Sequence, residues 1–152
     1  MEWGTLLATS LGAVIGVGST LLTERIRAAR ERSDRRETMR HQLYADYLTA
    51  LAHTADDLWA LGHDADRTDL RARAHGLWRG GDAYPLRYHL TITAPAPIVA
   101  ASDACFRTLR DFRDATGAGA EGGSAEFAEA QERYGQALVT LHNAMRCDLK
   151  AE

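Results

Sequence analysis

The sequence predicts an all-α protein in which an N-terminal transmembrane helix continues through a polar stalk into an antiparallel helical bundle. Three observations carry this. No residue from Trp3 to Thr23 is charged. Residues 24–40 then hold seven arginines against four acids. From Leu43 onward, apolar residues recur at spacings of three and four, the period of a buried helix face. The expected divisions are residues 3–23 for the span, 24–42 for an arginine-rich juxtamembrane stalk, and 43–152 for a cytoplasmic bundle. A chain of 152 residues has room for one ordinary domain beside such an anchor.

At about 1.5 Å per residue, Trp3 to Thr23 covers about 32 Å as a helix, the thickness of a hydrocarbon core. A cleaved secretory signal has a basic n-region and a small-residue cleavage site; here the run is preceded by Glu2 and followed by the bases. An uncleaved span is therefore expected, the alternative being a glycine-rich buried helix. The hydroxyls of Thr5, Thr9, Ser10, Ser19 and Thr20 lower the hydrophobicity but can bond back to helix carbonyls. Trp3 suits the membrane boundary.

Arg25, Arg27, Arg30, Arg32, Arg35 and Arg36 follow the run closely. By the positive-inside rule this places the C-terminal portion in the cytoplasm and Met1 outside a cell membrane crossed once. Gly4, Ala8, Gly12, Gly16 and Thr20 recur every four residues and make one smooth helix ridge, including the G-x-x-x-G of "GAVIG". Such a ridge lets two backbones approach closely in lipid, so a homo-oligomer through the span is expected, with a monomeric span as the alternative.

The stalk carries the opposite-charge pairs Arg27 with Glu31, Glu31 with Arg35 and Arg30 with Asp34, and lacks heptad apolar residues, so it reads as a solvated helix. Leu43, Tyr44, Tyr47, Leu48, Leu51, Ala55 and Leu58 form the stripe of the first bundle helix. "GHDADRTD" interrupts it, and Asp66 or Thr68 is placed to cap a second helix ending near Arg79. "RGGDAYP" breaks the chain again. Residues 86–92, "LRYHLTI", alternate apolar and polar like a strand; a single strand without a partner leaves its backbone unpaired, so an irregular or helical continuation of the second helix is preferred. Pro95 or Pro97 suits the first turn of the next helix, whose apolar face is Ile98, Ala101, Cys105, Leu109 and Phe112, with Gly117 as its end. Ser124 opens the last helix, with a stripe from Phe127 through Ala130, Tyr134, Ala137, Leu138 and Leu141 to Met145.

Little in the sequence points to a reaction. Net charge is -3, so nucleic acid is not an expected partner. Cys105 and Cys147 lie far apart without CxxC spacing, which argues against a disulfide framework or a zinc site. His53, Asp56 and Asp57 share a helix face, with His63, Asp64 and Asp66 just beyond, but the spacing matches no catalytic motif and reads best as a solvated polar face. A metal-binding sensor or bundle enzyme using the His53–Asp66 region is the alternative function. "GVGSTLL" lacks the lysine of a phosphate loop, and no serine has a G-x-S-x-G context. Arg146 and Asp148 could pair at the C-terminal end.

The tyrosines of "LYADYL", the "AP" helix start, and the closing Y-x-x-A-x(6)-A-M-R-x-D-L pattern, here Tyr134, Ala137, Ala144 to Arg146, Asp148 and Leu149, bear a family likeness. The chain resembles short actinobacterial single-span proteins with a cytoplasmic helical domain, some of them similar to those called KilB-like and associated with the spread of conjugative plasmids, others to small reading frames of siderophore clusters. Lys150 stands where such proteins often have glycine. The resemblance implies the architecture: one span, an arginine collar and a helical bundle. The expected function is that of a non-enzymatic, single-pass, membrane-anchored interaction or adaptor module at the cytoplasmic face, with the lipid bilayer and a cytoplasmic protein as partners. No cofactor, metal ligand or catalytic residue is expected.

Overall fold

The apolar stripes set out above form helices because each buries one face against the others, and packing rather than propensity supplies most of a helix's stability. The computed structural model describes residues 35–151. The chain divides into two compact units, Met1–Met39 and Arg40–Glu152, and the second contains the bundle. Helix α1 runs over residues 35–62. It is followed by α2 (Leu70–Gly80), α3 (Ala83–Thr93), α4 (Ala96–Ala118) and α5 (Ala125–Asp148). Every element among the described residues is helical, and none is a strand.

Pairwise contacts give the topology. Tyr44 meets Asp148, Tyr134 meets the Leu51 carbonyl, and Gly62 meets Gly122, so α1 and α5 are antiparallel. Tyr47 lies level with Ser102, while Arg67, just past α1, reaches Gly119, so α1 and α4 run the same way. Trp78 and Tyr84 pack on Phe106, and Arg87 pairs with Asp103. Helices α2 and α3 are therefore two pieces of a single rod, antiparallel to α4. The bundle has four rods, the second of them broken, around a core that includes Tyr47, Leu51, Leu58, Leu109, Phe112 and Phe127.

Proline explains the break. In a continuous helix the Pro85 ring would meet the carbonyl of residue 81 and supply no N–H to it. Gly81 instead turns extended (ψ 150) and its N–H bonds to the Leu77 carbonyl, and α3 restarts two residues later. Gly81 also lies against α1, where an added Cβ would stand 3.0 Å from Thr54 Oγ1.

The strand-like alternation of residues 86–92 proves to be helical. Wrapped on α3, it divides into two faces: Ala83, Leu86 and Leu90 turn inward, and Tyr84, Tyr88 and Ile92 turn outward. Two other sequence expectations are corrected. Gly117 does not end α4, which continues to Ala118 and closes at Gly119 with φ 106, the left-handed conformation glycine adopts freely. Gly117 lets α4 pack closely on α2, since an added Cβ would lie 3.4 Å from Arg71 Cα and 3.5 Å from Ala74 Cβ. The N-cap of α2 is Asp69, without a side-chain bond. Asp66 instead accepts from the Thr68 backbone N–H at 2.9 Å and hydroxyl at 2.6 Å, closing the turn before it. Ser124 caps α5 as expected, accepting from Phe127 N–H at 3.2 Å.

Candidate functional site

The small-residue ridge (Gly4, Ala8, Gly12, Gly16, Thr20) and the collar arginines Arg25, Arg27, Arg30 and Arg32 lie outside the described residues. Arg35 and Arg36 are described; both are helical and exposed. Among the described residues no helix is long and apolar enough to cross a membrane.

The His53–Asp66 region separates in space. His53 lines a groove of about 410 Å³ between α1 and α3 with Asp46, Asp82 and His89. Asp64 and Asp66 are engaged elsewhere, at the turn into α2. Asp64 accepts from Arg73 and from the Asp66 N–H, and Arg73 also donates to the Asp66 carbonyl at 2.8 Å. The Arg73 bond, then the Asp66 N–H, hold the Asp64 carboxyl below its ordinary value. The Thr68 hydroxyl, then its N–H, do the same for Asp66. His63 stacks on Trp59 at 4.0 Å and meets Phe127 edge-on at 5.5 Å, with Nδ1 2.9 Å from the Trp59 carbonyl oxygen. Among the described residues no three His, Cys, Asp or Glu side chains are grouped to hold a metal ion.

The interior holds a chain of polar groups as well. The Tyr47 hydroxyl lies 2.9 Å from Ser102 Oγ, and Tyr134 donates to the Leu51 carbonyl at 3.0 Å. Burial pushes the Tyr47 phenol and the Cys105 thiol up to about 12 and the Tyr134 phenol higher still. A thiol so raised carries almost no thiolate at neutral pH and is a poor nucleophile. These groups serve the packing. Cys147 is exposed. Asp148 pairs across the bundle, accepting from Tyr44 at 2.8 Å and from Arg40 at 3.5 Å. Both distances come from α1, which ties the two ends of the bundle sequence together.

A different surface carries unspent chemistry. Six large apolar side chains stand exposed among the described residues, and three of them lie on the 11-residue α3: Tyr84 (48 % exposed), Tyr88 (56 %) and Ile92 (79 %). Spaced by four, they form one ridge. Its base is Phe106 of α4, buried and surrounded by Trp78 at 4.7 Å and Tyr84 at 6.2 Å, with the Arg87 and Arg110 guanidiniums over its ring at 4.9 and 6.0 Å. Arg113 lies 4.7 Å over the Trp78 ring. Together with Arg79 it helps line an open cavity of about 410 Å³ between Trp78 and Tyr84.

Charge on this side is unevenly spent. Arg87 donates to Asp103 at 2.7 and 3.2 Å, and Arg113 to Asp114 at 2.6 and 2.8 Å. Arg79, Arg107 and Arg110 make no ion pair among the described residues. Residues 70–93 hold four arginines and one aspartate, whereas α5 holds four acids and two arginines. The segment that carries the ridge is thus net basic and α5 net acidic. Sequence reading missed the ridge because its tyrosines lay within an apparent strand; the signal available was the four-residue spacing of Tyr84, Tyr88 and Ile92. No family model, curated protein or solved structure matches the chain.

Proposed function

We propose that this chain is a non-enzymatic interaction module held at the cytoplasmic face of a cell membrane by a single N-terminal span, with the helical bundle as its working part. The observation that carries the working part is the exposed aromatic ridge of α3 with Arg79 and Arg110, which make no ion pair among the described residues, beside it: a surface equipped to bind. The anchor rests on the charge-free run from Trp3 to Thr23 and the arginines after it. The resemblance to KilB-like single-span proteins agrees with this architecture and adds the spread of conjugative plasmids as a biological setting.

Alkaline carbonate extraction of membranes checks the anchor: the full-length chain is expected in the pellet. Recovery in the supernatant, or a mature chain that starts beyond residue 23, would refute it.

The small-residue ridge gives the module a second copy of itself as partner. Gly12→Ile or Gly16→Ile pushes two spans apart, while Val14→Ile, off the ridge, does not; all three raise hydrophobicity, so poor insertion cannot explain a selective defect. A transmembrane association reporter carrying residues 1–30 should lose most of its signal with either glycine variant and keep it with Val14→Ile. Equal signals from all would show that the ridge is not a self-association face.

A further inference from the structure

We propose that the outward face of α3, with the arginines of α2 and α4 around it, rests on an anionic lipid surface. The proposal rests on the membrane-anchored reading and specifies what the bundle touches there.

The line of the face favours one occupant. Tyr84, Tyr88 and Ile92 stand out from the helix, most exposed at the Ile92 end. The cavity beside the ridge reaches only its Tyr84 end, and projecting apolar side chains such as Tyr88 and Ile92 fit a soft, flat surface that closes around them. Residue chemistry agrees. Tyrosine is favoured at the boundary between headgroups and acyl chains, isoleucine beneath it, and arginine among lipid phosphates. Arg79 and Arg110 flank the ridge without an ion pair among the described residues, so an anionic surface gains their charge at no cost in broken pairs.

Position in the bundle agrees too. Tyr47 is level with Ser102, and Arg87 with Asp103, so Ile92, more than a turn beyond Arg87, lies toward the end at which Arg40 leads into the unit. The most exposed apolar side chain of the ridge is therefore at the chain-entry end of the bundle. The acids beside the ridge, Asp103 and Asp114, are each paired, with Arg87 and Arg113, and leave Arg79 and Arg110 uncompensated.

The test uses the full chain with a fluorophore on Thr91→Cys. Thr91 is exposed and lies seven residues from Tyr84, on the same face, so the ridge itself stays intact. Cys147→Ser removes the exposed thiol, and Cys105 is buried away from reagent. The protein is reconstituted in vesicles of phosphatidylcholine alone or mixed equally with phosphatidylglycerol, each carrying a lipid-borne quencher, and flotation reports anchoring separately. Each arginine at an anionic surface multiplies its partition by roughly five. Quenching at residue 91 should accordingly be strong with anionic vesicles and weak with neutral ones, and should fall to the neutral level in Arg79→Glu/Arg110→Glu and at high salt. A label on Val139→Cys, exposed on α5, should stay unquenched in both.

Flotation with both vesicles but equal quenching at residue 91 would overturn the lipid contact and leave the anchor standing. Quenching confined to anionic vesicles, from a chain that floats only with them, would retain the contact and overturn the anchor. A chain that floats with neither loses both. If soluble polyglutamate shifts the label's emission and anionic vesicles do not, the face belongs to an acidic protein and the lipid assignment is wrong.

Discussion

Phe127→Ala should cost about 3–5 kcal/mol of stability, the usual range for removing a fully buried phenylalanine, and Gly62→Ala alone about 1–3 kcal/mol from overpacking. Phe127 sits where three segments meet: its N–H is capped by Ser124, its ring meets Phe112 at 5.1 Å and His63 at 5.5 Å, and it covers the last turn of α1 at Gly62. A Cβ at Gly62 would run into that ring. The two changes therefore compensate, because truncating Phe127 opens the space that the new methyl occupies. Urea unfolding of residues 40–152, followed by far-ultraviolet circular dichroism, should show the double variant less destabilised than the sum of the single ones by about 1 kcal/mol or more. Strict additivity would mean that Gly62 is not held by Phe127. The bundle has little margin for the phenylalanine loss, since domains of this size are stable by about 5–15 kcal/mol.

The same corner explains why the loops are set as they are. The Gly62 carbonyl, left over at the end of α1, accepts from Gly122 N–H at 2.8 Å and from Arg67 at 3.2 Å. Arg67 also donates to the Gly119 carbonyl at 2.8 Å, at the end of α4. One guanidinium thus satisfies the termini of two parallel rods, which an isolated helix would leave to water. Gly122 is small because the His63 ring lies where its Cβ would be.

Long stripes were readable in the sequence and short ones were not. The faces of α1, α4 and α5 extend over several turns, and Tyr47, Leu109 and Leu141, among others, are buried as their spacing required. Helix α3 has only 11 residues and is apolar on both sides, and two helical faces offset by two positions mimic a strand's alternation. That mimicry hid the ridge of the candidate site. Its arginines were hidden for another reason: Phe106 gathers Arg110 from its own helix and Arg87 from the preceding one, and that second meeting depends on how α3 folds back on α4. Gly117 looked like a stop because glycine often follows a helix, yet here it makes room for Arg71 and Ala74. His53 and Asp66 looked like neighbours, but α1 ends between them and the intervening turn carries Asp66 to Arg73 rather than to His53.

Raising the pH should unfold the bundle well before its arginines lose charge. Three acids in the core are kept protonated by burial: the Cys105 thiol, moved from 9.0 to about 12; the Tyr47 phenol, from 10.0 to about 12; and the Tyr134 phenol, raised further. The sign follows from proton counts. Above pH 9 the unfolded chain releases these protons while the folded chain holds them, so it binds fewer protons than the native state and stability falls as pH rises. The full contribution is present below pH 9 and is lost progressively up to about pH 12. At about 1.4 kcal/mol per unit, each of these steps is a loss of a few kcal/mol, and because Cys105 itself helps to raise Tyr47 the two belong to one coupled loss. Tyrosinate absorbance and far-ultraviolet ellipticity, followed together for residues 40–152, should therefore show Tyr47 and Tyr134 ionising in the same cooperative step that melts the helices. Tyr47→Phe and Tyr134→Phe, each removing one of the two, should shrink the tyrosinate amplitude of that step. Cys105→Ala discriminates further: it lowers stability at neutral pH by opening a small cavity, yet it flattens the loss between pH 9 and 10, where the thiol is the first to titrate. Ionisation of both phenols with the helices intact would show that the Tyr47–Ser102 and Tyr134–Leu51 contacts lie open to water rather than in a closed core.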